Sequence, residues 1–244
     1  MDRSLYVAMT GARQIMQAQA INNHNLANAT TTGFRQDLRA FRAMPVFGEG
    51  LPSRAYAMAE RPGVDFTPGP VVNTGRDLDV AVQGEGWIAV QAPDGKEAYT
   101  RAGDLQIDAN GLLTTGAGYA VLGDGGPIAI PPASKVEIGS DGTIAIVPQG
   151  ETSTIAAERI RLVKPDPATL IKDEQGLMRA RDGKPAAPDA TVRLTAGALE
   201  GSNVNSAEAL VTMIELARQY EMQIKMMDSS AEQAASSDQL LRLE

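Results

Sequence analysis

Cysteine is absent from this 244-residue chain, which rules out disulfides, thiolate nucleophiles and cysteine-ligated zinc. Aromatic residues make up only 4% and Trp87 is the sole tryptophan, so an aromatic-lined cofactor or sugar pocket is poorly supplied. His24 is the only histidine and stands in an Asn-rich stretch without a Ser–Asp arrangement around it, which argues against a catalytic triad. No run approaches the roughly 20 apolar residues of a membrane span. The start also lacks a signal-peptide layout: Asp2 and Arg3 precede a short apolar stretch, Leu5 to Met9, that soon turns polar. A place outside the cytoplasm would require another route. The net charge of −8, with no dense Lys/Arg cluster, has the wrong sign for a nucleic-acid binder.

Proline is missing from both ends. All 14 prolines fall between Pro45 and Pro188. The N-terminal end reads as one helix over 3–29, with Leu5, Met9, Ala12, Met16 and Leu26 on a seam of alternating four- and three-residue steps, and Ala8, Ile15 and Ala18 widening the stripe. Gln19 and Asn23 fill the seam positions between them, Asp2 or Ser4 can cap the start, and Gly33 closes the turn beyond. A second helix is expected over 206–241, opened by Asn205 with Glu208 three residues on. It carries two stripes: Leu210, Ile214, Ala217, Ile224 and Ala231 on one, Met213, Leu216, Tyr220, Met227, Ala234 and Leu241 on the other. Two stripes on one helix imply neighbours on two sides.

Between the helices the period falls to two. Asp94-Gly95, Asn110-Gly111, Asp124-Gly125, Asp141-Gly142 and Asp182-Gly183 favour two-residue primed hairpin turns. Strand-like runs flank them at 87–91 with 97–101 and at 105–108 with 112–115, then at 143–147, 160–163 and 192–196. The expected fold is α+β: a central, mainly antiparallel β domain over 73–198, flanked by a helix at 1–33 and another at 199–244 that pair as a coiled-coil-like assembly domain. Residues 34–72, with Pro45, Pro52, Pro62, Pro68 and Pro70, read as an extended connector with short strands near 64–66 and 71–72.

Chemical motifs fail on context. Gly84-Glu-Gly86-Trp-Ile-Ala89 has dinucleotide-loop spacing but runs into a strand pattern instead of a helix. Asp108-Ala-Asn110-Gly111 resembles the start of a calcium loop, yet Tyr119 stands where the bidentate acid belongs. Asp77 and Asp79 could share a strand face as paired carboxylates, and with Glu85 they are the acids an enzyme acting on peptidoglycan would use; no aromatic platform accompanies them. Asn28-Ala-Thr30 has the glycosylation spacing, a match frequent by chance. No catalytic, cofactor or metal residue is assigned.

One segment resists a bland reading. Four Asn between Asn22 and Asn28 cost helix propensity, because their side chains compete for backbone groups. Polar seam residues fix register between packed helices. Asn25-Leu-Ala-Asn28, followed by Thr32-Gly-Phe34-Arg35, resembles the N-terminal signature of the axial proteins of the bacterial flagellum, the rod, hook and hook-associated subunits. His24 departs mildly from the usual Asn-Asn-Leu-Ala-Asn wording. The resemblance continues through Thr74–Val80, Gly84–Ile88 and Ala98–Gly103 to Leu199-Glu-Gly-Ser-Asn-Val-Asn205 and Met213–Glu221. The length and the Phe41-Arg-Ala-Met-Pro45 segment look most like a proximal-rod member, with the distal-rod paralogue as the alternative.

The resemblance implies a non-enzymatic subunit of a hollow helical rod, whose terminal helices form an inner tube that transmits torque. It implies no cofactor, and export to the periplasm by the flagellar type III apparatus without a cleaved signal. Implied partners are earlier proximal-rod proteins, the distal-rod protein and neighbouring copies. The expected assembly residues are Leu5, Met9, Met16, Leu26, Leu210, Ile214, Leu216 and Ile224, with Asn25, Asn28 and Asn203 at polar positions.

Overall fold

The computed structural model describes residues 3–38, 40–45, 55–60, 63–150 and 153–241. The expected cap Asp2 lies outside them. The chain is α+β and its strands pair antiparallel throughout the described residues. It divides into two compact units. A helical unit holds 1–27, 37–63 and 204–244; a β unit holds 28–36 and 64–203.

In the helical unit, helix α1 (Arg3–Ala27) packs against helix α2 (Ser206–Leu241). Asn205 caps α2 as its sequence predicts: Oδ1 accepts from the backbone N–H of Ala207 at 3.1 Å and of Glu208 at 3.3 Å. Within the stretch expected to be an extended connector, Ala40–Pro45 pairs with Ala55–Glu60 as an antiparallel hairpin, and the second of these strands lies against α1. Ala alternates with Tyr56 and Met58 there, a period-two pattern that small residues and neighbouring prolines obscure.

The β unit is organised by Trp87–Gln91, which pairs with Glu97–Thr100, Ala120–Val121 and Leu162–Val163. Its side chains alternate between two cores. Ile88 and Val90 join Leu105, Leu113, Val121, Ile144, Ile146 and Ile160 on one face. Trp87 and Ala89 join Tyr99, Val163 and Met178 on the other. A strand buried on both faces needs apolar residues at successive positions, which is why this run is uninterrupted. The Tyr99 hydroxyl accepts from the Ala186 N–H at 2.7 Å, and burial pushes its pKa up to about 12.

The hairpin turns differ from expectation. In 92–96, 108–112, 139–143 and 173–177 the first residue's N–H donates to the fifth residue's carbonyl, and the fourth residue's N–H donates back to the first. The fourth residue is glycine each time (Gly95, Gly111, Gly142 and Gly176), with φ between +77° and +86°. No described non-glycine residue has positive φ. These are three-residue loops closed by a left-handed glycine, not two-residue primed turns, which would need positive φ at Asp or Asn as well. The Asp side chain instead accepts from backbone ahead of it, as Asp94 does from Lys96 N–H at 3.2 Å and Asp141 from Thr143 N–H at 3.1 Å.

One acid in this unit is held against its preference. Burial, reinforced by the charge of Asp79 and opposed by Arg76, raises the pKa of Asp104 above its ordinary 3.8. One oxygen lies against Gly116 and the other, Oδ1, is buried without a partner. A raised folded-state pKa contributes stability that is full below the unfolded value and is lost as pH rises through the folded value. Asp104→Asn should therefore raise the urea midpoint at neutral pH and lose that advantage below about pH 3.8. An unchanged or lower midpoint at neutral pH would refute this account of Asp104.

Candidate assembly surface

The two helices meet through small residues. Ala8, Ala12, Ile15 and Ala18 of α1 are buried, as are Ala209, Thr212 and Leu216 of α2. Ile15, Ala18 and Leu216 form one apolar cluster with Tyr220 against it. Asn22 Nδ2 donates to the Ala209 carbonyl at 2.8 Å, while Gly11 faces the Gln223 amide, so the helices run antiparallel. Alanine on the inner face lets the axes approach, and a Cβ at Gly11 would lie 3.1 Å from Gln223 Oε1.

On α1 this inner seam keeps Ala12 of the expected stripe and the Ala8, Ile15 and Ala18 that widen it, but leaves the large residues of that stripe outside. Leu5, Met9 and Met16 are exposed at 37%, 51% and 56%, and Leu210 and Ile214 at 46% and 53%. Leu26 and Ile224 are half-buried. Of the large apolar residues expected at the assembly contact, Leu216 alone is buried in the intrachain contact. The second stripe of α2 faces α1, and the first turns outward. Spacing alone could not rank the faces, because alanines on one face compete poorly in hydropathy with methionines on the other.

The asparagines are intrachain fasteners. Asn25, buried in the helical unit, pairs its amide with the backbone of Asp37: Nδ2 donates to Asp37 O and Oδ1 accepts from Asp37 N–H, both at 2.9 Å. His24 Nδ1 lies 3.0 Å from Asp37 Oδ2. In the β unit, the Asn28 carbonyl accepts from Thr31 N–H at 3.1 Å and its Oδ1 from Thr31 Oγ1 at 3.1 Å. Asn203 Oδ1 accepts from Gln36 N–H at 2.8 Å, and its Nδ2 donates to the carbonyls of Asp65 at 3.0 Å and Thr67 at 3.1 Å. One amide thus ties three chain segments.

Beside Asn203 lies a cluster that sequence reasoning missed. Glu200 is 1% exposed and holds two buried arginines: Arg35 Nη2 at 2.5 Å on Oε1 and Arg101 Nη1 at 2.9 Å on Oε2. Gly69 N–H donates to Oε1 at 3.0 Å. Arg101 also donates to the carbonyls of Val82 at 3.2 Å and Gly84 at 2.6 Å, and its guanidinium sits 5.4 Å from the centre of the Trp87 ring. Burial draws the Arg101 pKa below its ordinary value, and the Glu200 charge opposes that. Gly33 brings the N-terminal segment into place. Its φ is +67°, its N–H donates to Glu200 O at 2.8 Å, and a Cβ there would collide with the Arg101–Ala102 peptide. A Glu in phase with buried Ala198 along a strand was the readable signal.

The acids of the enzymatic alternative are dispersed. Asp77 is exposed. Asp79 is buried, accepting from Thr74 Oγ1 at 2.7 Å and lying 3.3 Å from Arg76. Glu85 forms a surface ion pair with Lys164 at 3.0 Å. Trp87–Gln91 is a strand, so the Gly84–Ala89 segment opens no helix. Asp108 Oδ1 accepts from the N–H groups of Asn110 and Leu112, closing its turn.

The chain thus has a unit of two terminal helices and a β unit built around this arginine–glutamate clasp. Residues 81–146 match the family described as flagellar hook protein FlgE/F/G D1 domain, and 195–240 match flagellar basal body rod FlgEFG protein C-terminal. Across its whole length the chain is 43% identical to the flagellar basal-body rod protein FlgF of Escherichia coli K12, covering all of that protein. It is 38% identical to FlgF of Caulobacter vibrioides over 97% of both chains. With FlgG of Buchnera aphidicola (Schizaphis graminum) it shares 33% identity over 97% of this chain and 99% of that one. The class is that of flagellar rod and hook subunits. Within it, the chain belongs to the FlgF family of basal-body rod proteins, and it is a structural rod subunit of the flagellar basal body.

Glu200→Gln removes the one carboxylate that, among the described residues, ion-pairs with both buried arginines. Breaking a buried pair typically costs roughly 3–5 kcal/mol, and a loss of that size is expected in urea denaturation of the full chain. A loss within the about 0–1 kcal/mol of an exposed pair would show that Glu200 does not hold the segments together.

Proposed function

We propose that the chain is a non-enzymatic subunit of the proximal part of the rod, and that it polymerises through its two terminal helices. The observation that carries this is the outward face of the helix pair. Tyr6, Met9, Met16, Leu210, Ile214, Met222 and Met226 are each more than 45% exposed on a pair whose inner seam is already filled. Large apolar side chains exposed along a helix pair call for further helices against them. The 43% and 38% identities to two FlgF chains, against 33% to a FlgG chain, support the proximal position over the distal one.

In this reading 1–33 and 199–244 are the assembly segments, 34–72 connects, and 73–198 is the outer β body. Leu5, Met9, Met16, Leu26, Leu210, Ile214 and Ile224 meet neighbouring subunits in coiled-coil-like packing. Leu216, Asn25, Asn28 and Asn203 act one step back, holding the helix pair and the chain segments that lead to it. Partners are earlier proximal-rod proteins, the distal-rod protein and further copies. Export by the flagellar type III apparatus would deliver the chain to the periplasm. The work is torque transmission; no acid pair among Asp77, Asp79 and Glu85 supports hydrolysis, since each is exposed singly or held by an ion pair.

Leu216→Asp tests this. A carboxylate in the seam beside Ile15 and Ala18 should part the helices while the β unit keeps its strands. The variant should be absent from isolated basal bodies and should not restore swimming to a strain lacking the protein. Normal motility in that strain would sink the assignment of these helices to assembly.

A further inference from the structure

The outward faces carry more than hydropathy. On α1, Tyr6, Met9, Arg13, Met16, Ala20 and Asn23 are all exposed and recur in alternating steps of three and four. On α2, Leu210, Ile214, Ala217, Glu221, Ile224 and Asp228 recur in steps of four and three, exposed or half-buried. Each is a second heptad-spaced seam, turned away from the contact the helix already makes. Arg13 is the only charged residue in the α1 seam, and α1 contains no carboxylate from Arg3 to Ala27. In the α2 seam the charges are carboxylates alone, Glu221 and Asp228. Arg218 and Lys225 stand three before and four after Glu221 on the same helix, neither within ion-pair distance of it among the described residues.

We infer that the α1 outer seam is the docking site for the α2 outer seam of a second copy of this chain, antiparallel, in the register that sets Arg13 against Glu221. This rests on the rod-subunit reading above and adds partner, polarity and register. The same alignment places Met16 against Ala217, Ala20 against Ile214, Asn23 beside Leu210, Met9 beside Ile224 and Tyr6 beside Asp228. Large side chains meet small ones at two successive levels, and the Tyr6 hydroxyl reaches a carboxylate. It also matches the level inside the chain at which Gly11 faces Gln223. Each α1 would thus hold two α2 helices at that level, its own and a neighbour's. Because the site and the surface it binds lie on different helices, the contact is head-to-tail and leaves both free seams at the ends of any chain of copies. A lone charge in an apolar seam costs stability unless it is paired, so Arg13 and Glu221 select this register against shifts by a turn.

The absence of cysteine makes the test clean. Full-length Ala20→Cys is mixed with full-length Ile214→Cys under mild oxidation, in solution and in assembled basal bodies. The expected product is a mixed disulfide dimer, with neither variant crosslinking to itself. Adding Arg13→Glu to the first copy, or Glu221→Arg to the second, should lower the mixed product about tenfold or more; adding both should restore it. Both residues are exposed, so helix content and the intrachain seam should persist in every variant. Self-crosslinked Ala20→Cys, an unrestored charge swap, or crosslinks only to a different rod protein would each overturn the inference. Variants that enter rods and support swimming but give no mixed disulfide would overturn the seam and leave the rod-subunit reading standing. Parent protein missing from basal bodies would overturn both.

Discussion

One buried carboxylate governs how this chain is put together. Glu200 lies where the segment leading from α1 and the segment leading to α2 run side by side, and among the described residues it is the only anion that Arg35 and Arg101 share. Two guanidiniums can be taken out of water together only if something negative goes with them. The rest of the clasp is backbone: Gly33 N–H on the Glu200 carbonyl, Gly69 N–H on its side chain, Asn203 N–H on the Phe34 carbonyl. Lys172 adds its ammonium to the Arg35 carbonyl at 2.7 Å and sits over the Phe34 ring at 3.8 Å. What enters and leaves the β unit is fixed by charge, and the apolar cores fill in around it.

That division explains what a reader of the sequence can and cannot see. Both helices follow from the three- and four-residue spacing of their apolar residues, and the strands around Gly95, Gly111 and Gly142 follow from alternation broken by Asx-Gly. The type of turn does not follow. Asp-Gly serves a two-residue primed turn and a three-residue loop equally well, and only the sign of φ at the aspartate separates them. The hairpin of Ala40–Pro45 with Ala55–Glu60 was hidden because alternating alanines carry little period-two contrast. Glu200 was hidden for a different reason. Its partners, 165 and 99 positions away, are unrelated to it by any local period.

The helix pair shows the same limit from the other side. Heptad spacing exists on two faces of each helix, and on α1 hydropathy favours the methionine-bearing one. Packing chose the alanines, because a close approach gains more contact than a bulky interface that holds the axes apart. The long side chains are left outside, which suits a member of the FlgF family whose neighbours must find it. Methionine adapts its shape to whatever covers it, a useful property where adjoining subunits are not identical. A structural rod subunit works through the surfaces it presents. Its chemistry is the placement of faces.

The distance along the chain between Arg35 and Glu200 has a further meaning in time. Contacts this remote form late, because a long loop must close before they return anything. A chain that emerges N-terminus first carries Arg35 and Arg101 without their counter-charge until residue 200 of its 244 has appeared. Until then the β unit lacks both its closing strand and its electrical balance. The residue that shuts the β unit is among the last to arrive.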